Sequence, residues 1–96
     1  MAKEITKDYY ANDAGLQLKD WWKTTNKQGY TNFCIMNAVK YATRIGRKPD
    51  QESKDYEKYH DYINQAAELL EADPNELSEA VMQELENFQK WTGGQP

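Results

Sequence analysis

The 96-residue chain predicts an all-α fold, a compact bundle of three main helices preceded by a short N-terminal helix. Three observations predict it. No stretch alternates apolar and polar residues with the period of two that a half-buried strand requires. Apolar side chains recur instead at offsets of three and four, as in Leu77, Val81, Leu85 and Phe88. Helix start and stop residues punctuate these runs, most clearly Asp73-Pro74-Asn75-Glu76, where an N-cap, a proline at N1 and an acid at N3 stand in order.

Residues 1 to 15 show no sustained period, and Asn12, Asp13 and Gly15 mark a turn, so the chain opens on an irregular lead-in. Leu16 to Thr24 follows as the short helix, with Leu18, Trp21 and Trp22 clustered on one side. So short a helix is marginal in isolation, and its tryptophans are expected to dock on the rest of the fold. Thr24 to Gly29 reads as a polar loop without the glycine spacing of a phosphate-cradling Walker motif. Thr31 or Asn32 then caps a second helix to Ile45, closed by Gly46 and stopped by Pro49. Asp50 is the expected N-cap of a third helix, with Ser53 at N3, reaching about Glu71. It is expected to bury Tyr56, Tyr59 or His60, Ile63, Ala67 and Leu70. The fourth helix runs from Asp73 to Gly93-Gly94, with Ala80 and Trp91 beside its apolar stripe. One helical domain over 1–92 and a disordered tail over 93–96 complete the expectation.

Composition narrows the class. The chain is 39% hydrophobic and 29% charged, typical of a globular protein, and seven Tyr and three Trp add apolar area with polar tips. No apolar run approaches the roughly 20 residues of a membrane span, and the first residues lack the apolar segment of a signal peptide. No membrane association and a cytoplasmic location follow as expectations. Cys34, the single cysteine, cannot form an internal disulfide and reads as a small buried hydrophobe. His60 lacks the paired spacing of a zinc site and reads as a helix-surface histidine; no metal site is expected. Residues 1 to 48 carry nine Lys/Arg against four Asp/Glu, and residues 49 to 96 carry three against twelve. Halves of opposite sign favour attraction within one molecule or between copies, and a homo-oligomer is expected. A net charge of −4 argues against duplex DNA, which needs a broad cationic footprint.

The second helix carries the chemistry. Asn37, Lys40 and Arg44 share one of its faces, opposite Ile35, Ala38, Val39, Ala42 and Ile45. Two cations and an amide suit an anionic, phosphate-like ligand, although cations on helices are more often simply solvated or paired. Asp55, Lys58 and Tyr62 share a face of the third helix, and antiparallel packing across the short connection brings part of it toward Lys40 and Arg44. An acid there pairs with the cations, orients them, or holds Mg²⁺ beside phosphate oxygens.

Phe33-Cys34-x-x-Asn37-Ala38-x-Lys40-Tyr41-x-x-Arg44-x-Gly46-x-Lys48, followed by Asp55-x-x-Lys58-x-x-x-Tyr62-Ile63, resembles the SaV-like family of small tailed-phage proteins. Upstream, Tyr9 or Tyr10 and Gly15-Leu16-Gln17-x-x-Asp20 are similar to a further segment of that family, so the resemblance spans residues 8 to 63. Three positions depart from its pattern: Asp8 or Tyr9 stands where His is usual, Gln17 replaces an acid, and Met36 replaces Gly. One branch of the family is fused into a phage nucleotide kinase that lacks a Walker motif. The resemblance therefore implies a nucleotide or phosphate site at Asn37, Lys40, Arg44, Lys48, Asp55 and Lys58, with Tyr41, Tyr62 and Asp20 as additional candidates. It implies Mg²⁺ as the companion of a bound nucleotide, and at most a nucleoside monophosphate kinase-like activity. The alternative is a non-enzymatic protein that engages a host or phage factor, or single-stranded nucleic acid, through aromatic and acidic surfaces.

Overall fold

The computed structural model describes residues 10–45, 47 and 49–94. Four α-helices account for most of them: α1 (Leu18–Thr25), α2 (Lys27–Arg44), α3 (Glu52–Leu70) and α4 (Pro74–Lys90), with a 3₁₀ turn at Pro49–Gln51 before α3. Among the described residues there is no strand, only an isolated antiparallel bridge between Ala11 and Gln17. The fold is all-α. The chain divides into two compact units, residues 1–30 and 31–96.

The first unit is built on a turn. Asn12 accepts the backbone N–H groups of Ala14 and Leu16 on its side-chain oxygen, at 3.0 and 2.9 Å. Gly15 completes the reversal at φ +82°, a left-handed conformation that glycine adopts without a Cβ penalty. This agrees with the predicted turn; the part of the lead-in before Tyr10 lies outside the described residues. α1 contains no buried residue: Trp21 is 62% exposed, and Trp22, 40% exposed, lies with its ring 6.3 Å from that of Tyr30.

The loop predicted at Thr24 to Gly29 is corrected. Only Asn26 separates α1 from α2. Its side-chain oxygen accepts the Gly29 N–H at 3.1 Å, so Asn26, rather than Thr31 or Asn32, caps the helix. Gly29 serves this cap: a Cβ there would stand 2.5 Å from the Asn26 side-chain nitrogen. A glycine that resembles a loop marker is in fact the N3 residue that leaves room for a capping amide.

In the second unit α2, α3 and α4 share one core of Ala38, Ala42, Tyr59, Ile63 and Val81. Alanines on α2 face the larger side chains of its neighbours, the complementarity of small against large that close packing demands. Cys34 is fully buried as expected. Tyr59 and not His60 enters the core, and its hydroxyl is hydrogen-bonded to Ser78 on α4. Tyr56, His60 and Leu70 are exposed, contrary to expectation for Tyr56 and Leu70, while Asp55 and Ala66 are buried. The inward face of α3 is thus rotated from the predicted one. On α4, Val81 is buried and Leu77 and Leu85 pack beside it, whereas Phe88, predicted on that stripe, is 54% exposed.

Helix ends follow the predicted signals in part. Asp73 accepts the Asn75 N–H at 3.0 Å with Pro74 opening α4, as the sequence implies. Asp50 does not cap α3; it lies in the 3₁₀ turn, and Gln51 precedes Glu52 without a side-chain cap. α3 closes at Glu71 in the left-handed conformation (φ 55°), with the Ala72 N–H reaching back to the Ala67 carbonyl at 2.9 Å. The predicted Gly46 cap lies outside the described residues, and the predicted tail is described only to Gly94, whose carbonyl accepts the Trp91 indole N–H.

Candidate functional site

α2 and α3 bring Asn37, Lys40, Tyr41 and Arg44 to one patch with Asp55 and Tyr62. The decisive contact is an ion pair between Arg44 Nε and Asp55 Oδ1 at 3.4 Å. The Asp55 side chain is only 3% exposed, whereas that of Arg44 is 36% exposed. The Arg44 Nε is buried, so that exposure belongs to the remainder of its side chain. Asp55 Oδ2 is buried without a hydrogen-bond partner among the described residues. An isolated buried carboxylate is costly, and Arg44 supplies the charge that keeps it tolerable.

Tyr41 is the platform of the patch. Lys40 Nζ lies 5.1 Å from its ring centroid and Arg44 Cζ lies 5.6 Å from it, both within cation–π range. The Tyr62 ring stacks on it at 6.0 Å with planes 14° apart, and Phe33 meets Tyr62 edge-on at 5.9 Å. Burial, followed by the neighbouring Tyr41, Cys34 and Asp61, pushes the Tyr62 phenol above its ordinary value of 10.0. Tyr62 therefore remains a neutral hydroxyl at physiological pH. Asn37 donates its amide to the Phe33 carbonyl one turn back at 2.8 Å, which takes one of its two N–H groups.

Sequence reasoning reached these positions unevenly. The Arg44–Asp55 approach and the nearness of Tyr41 and Tyr62 agree with antiparallel packing of α2 on α3. Lys58 is exposed on α3 and forms no ion pair among the described residues. Lys48 lies outside the described residues. Asp20 is exposed on α1, in the other compact unit. Phe33 was not expected in the site, yet its ring and carbonyl engage Tyr62 and Asn37. The signal was present in the helical spacing of Phe33, Asn37, Tyr41 and Arg44, successive neighbours on one face.

A protein family described as being of unknown function, DUF3310, matches residues 6–64. The chain belongs to this family. The DUF3310 match contains the whole α2–α3 patch and ends before α4, which begins at Pro74. Neither a curated protein nor a solved structure matches the chain. No described helix is long and apolar enough to cross a membrane.

Proposed function

We propose that this protein is a phage accessory protein of the SaV-like type whose α2 face binds a phosphate-bearing ligand, a nucleotide foremost. The observation that carries the reading is the placing of Lys40 and Arg44 over one Tyr41 ring, with Arg44 held from behind by Asp55. A guanidinium fixed by a buried carboxylate meets an anion at a lower entropic cost than a free one. Its remaining N–H groups and the Lys40 ammonium would take phosphate oxygens, and the Asn37 carboxamide would accept a hydrogen bond from the ligand. Lys58, and Lys48 outside the described residues, are further candidate cations, and Mg²⁺ would arrive with the nucleotide. Gln17 in place of an acid favours binding without turnover, so a kinase-like reaction is the weaker form of this reading.

Calorimetric titration with a nucleotide panel, with and without Mg²⁺, tests it when combined with two variants. Lys40 is exposed, so Lys40→Ala should leave the melting temperature unchanged and weaken binding about tenfold to a hundredfold. Arg44→Ala should weaken binding and also cost about 1–3 kcal/mol of stability, since it strands the buried Asp55. A parent protein that binds no nucleotide would overturn the phosphate reading and leave Arg44 as a structural partner of Asp55.

A second reading rests on a separate observation. Tyr10, Leu16, Leu18 and Trp21 of the first unit line one shallow pocket and are between 38% and 64% exposed, and a contiguous exposed apolar patch favours a surface that meets a partner. A host or phage protein engaging this unit would leave nucleotide binding absent and be sensitive to Trp21→Ala.

A further inference from the structure

The two cations of the α2–α3 patch are unequal. Arg44 Nε stands 3.4 Å from Asp55, whose side chain is only 3% exposed, so one of the two positive charges is already matched inside the fold. Asp55 Oδ2 is buried without a hydrogen-bond partner among the described residues, so no further donor there disperses the charge of the carboxylate. Lys40 is exposed and forms no ion pair among the described residues. On α3, exposed Lys58 is followed one turn later by exposed Asp61, which lies near enough to Tyr62 to help raise its phenol. In the connection between the helices, the charge of exposed Arg47 is offset by that of Asp50. The chain as a whole carries a net charge of −4. The patch therefore neutralises one negative charge, and a second would meet Asp55, Asp61 and the field of an acidic molecule.

We propose that this patch selects a phosphate bearing a single negative charge, that of a phosphodiester, and that Asp55 sets the preference. The inference rests on the phosphate reading above and narrows it to one class of ligand. A phosphomonoester loses its second proton near a pKa of about 6 and brings two charges at pH 8. A phosphodiester keeps one charge throughout the neutral range. Its two unbridged oxygens accept hydrogen bonds from the outward-facing N–H groups of Arg44 and from Lys40, and the local charge is then balanced. A cyclic mononucleotide and the backbone of a single strand both present such a group.

Calorimetry on the full chain with a nucleoside 5′-monophosphate and its 5′-methyl phosphodiester, which differ by one capped oxygen, provides the test. At pH 8 the diester should bind about tenfold more tightly. Lowering the pH to 5.5 returns the second proton to the monoester and should recover that loss. Binding of the diester should stay level, and it controls for titration of His60 and the carboxylates. Asp55→Asn removes the charge while keeping the shape, and should abolish the preference; Asp61→Asn, a change at an exposed position, should reduce it. An oligonucleotide without terminal phosphates, titrated beside a cyclic mononucleotide, identifies the source of the diester, since affinity for a strand falls more steeply with salt. Equal or tighter binding of the monoester at pH 8 would overturn this inference and leave the phosphate reading standing. An undiminished preference in both variants would overturn it too, because the carboxylates would then not set the selectivity. Failure of every one of these ligands to bind would overturn both readings.

Discussion

Asp55 and Tyr62 illustrate how single side chains on one helix acquire different tasks from their surroundings. Asp55 is held at the bottom of the patch by Arg44, and its charge organises the cation that faces outward. Tyr62 is stacked on Tyr41 and partly enclosed, and that burial raises its pKa. The consequence for stability has a definite sign. Folding favours the protonated phenol, so this contribution is complete below the unfolded value near 10 and is lost as pH rises through the higher folded value. Unfolding midpoints measured from pH 8 to 11.5 should therefore fall on the alkaline side, and Tyr62→Phe should make that fall shallower. Identical alkaline slopes for the two proteins would show that the Tyr62 phenol ionises alike in both states.

α3 has unorthodox ends. It starts from a 3₁₀ turn without a side-chain cap and closes on a glutamate in left-handed conformation. A residue with a Cβ resists that conformation by about 1–2 kcal/mol, whereas glycine does not. Glycine also has more freedom to lose on folding, which offsets part of the gain. Glu71→Gly should consequently raise stability by about 0.5–1 kcal/mol, read as an increase in the urea midpoint with an unchanged slope. A lower midpoint would mean that Glu71 contributes more as a side chain than its backbone conformation costs. At α4 the local chemistry already agrees with the conformation, since Asp73 and Pro74 occupy the positions that favour them.

For the molecule as a whole, the second unit concentrates its stability where three helices converge. Ile63 is 2% exposed in the shared core, while Phe88 is 54% exposed on α4. Ile63→Ala should cost about 2–5 kcal/mol by opening a cavity that rigid neighbours cannot refill. Phe88→Ala should fall within about 0.5 kcal/mol of the parent, as surface substitutions do. If thermal melts found the larger loss at Phe88, that ring would be covered by a contact outside the described fold, such as another copy of the chain.

The sequence by itself determined the all-α class, the Asp73-Pro74 start of α4, the burial of Cys34 and the shared face of Asn37, Lys40 and Arg44. Each follows from interactions within a few residues, where helical period and capping chemistry act without distant partners. Its reading of the Asn26–Gly29 segment failed because the residues that suggest a loop also suit a cap, and only the geometry of the Asn26 side chain distinguishes them. Tertiary structure alone decided that Tyr59 turns inward while Tyr56 and His60 remain outside. Neighbouring aromatic residues on α3 have similar local preferences, and the choice belongs to whichever fills the space left by Ala38 and Ala42. It also decided that Asp55 is buried against Arg44. Aspartate on a helix ordinarily seeks water, and only a cation delivered by another helix makes its burial tolerable.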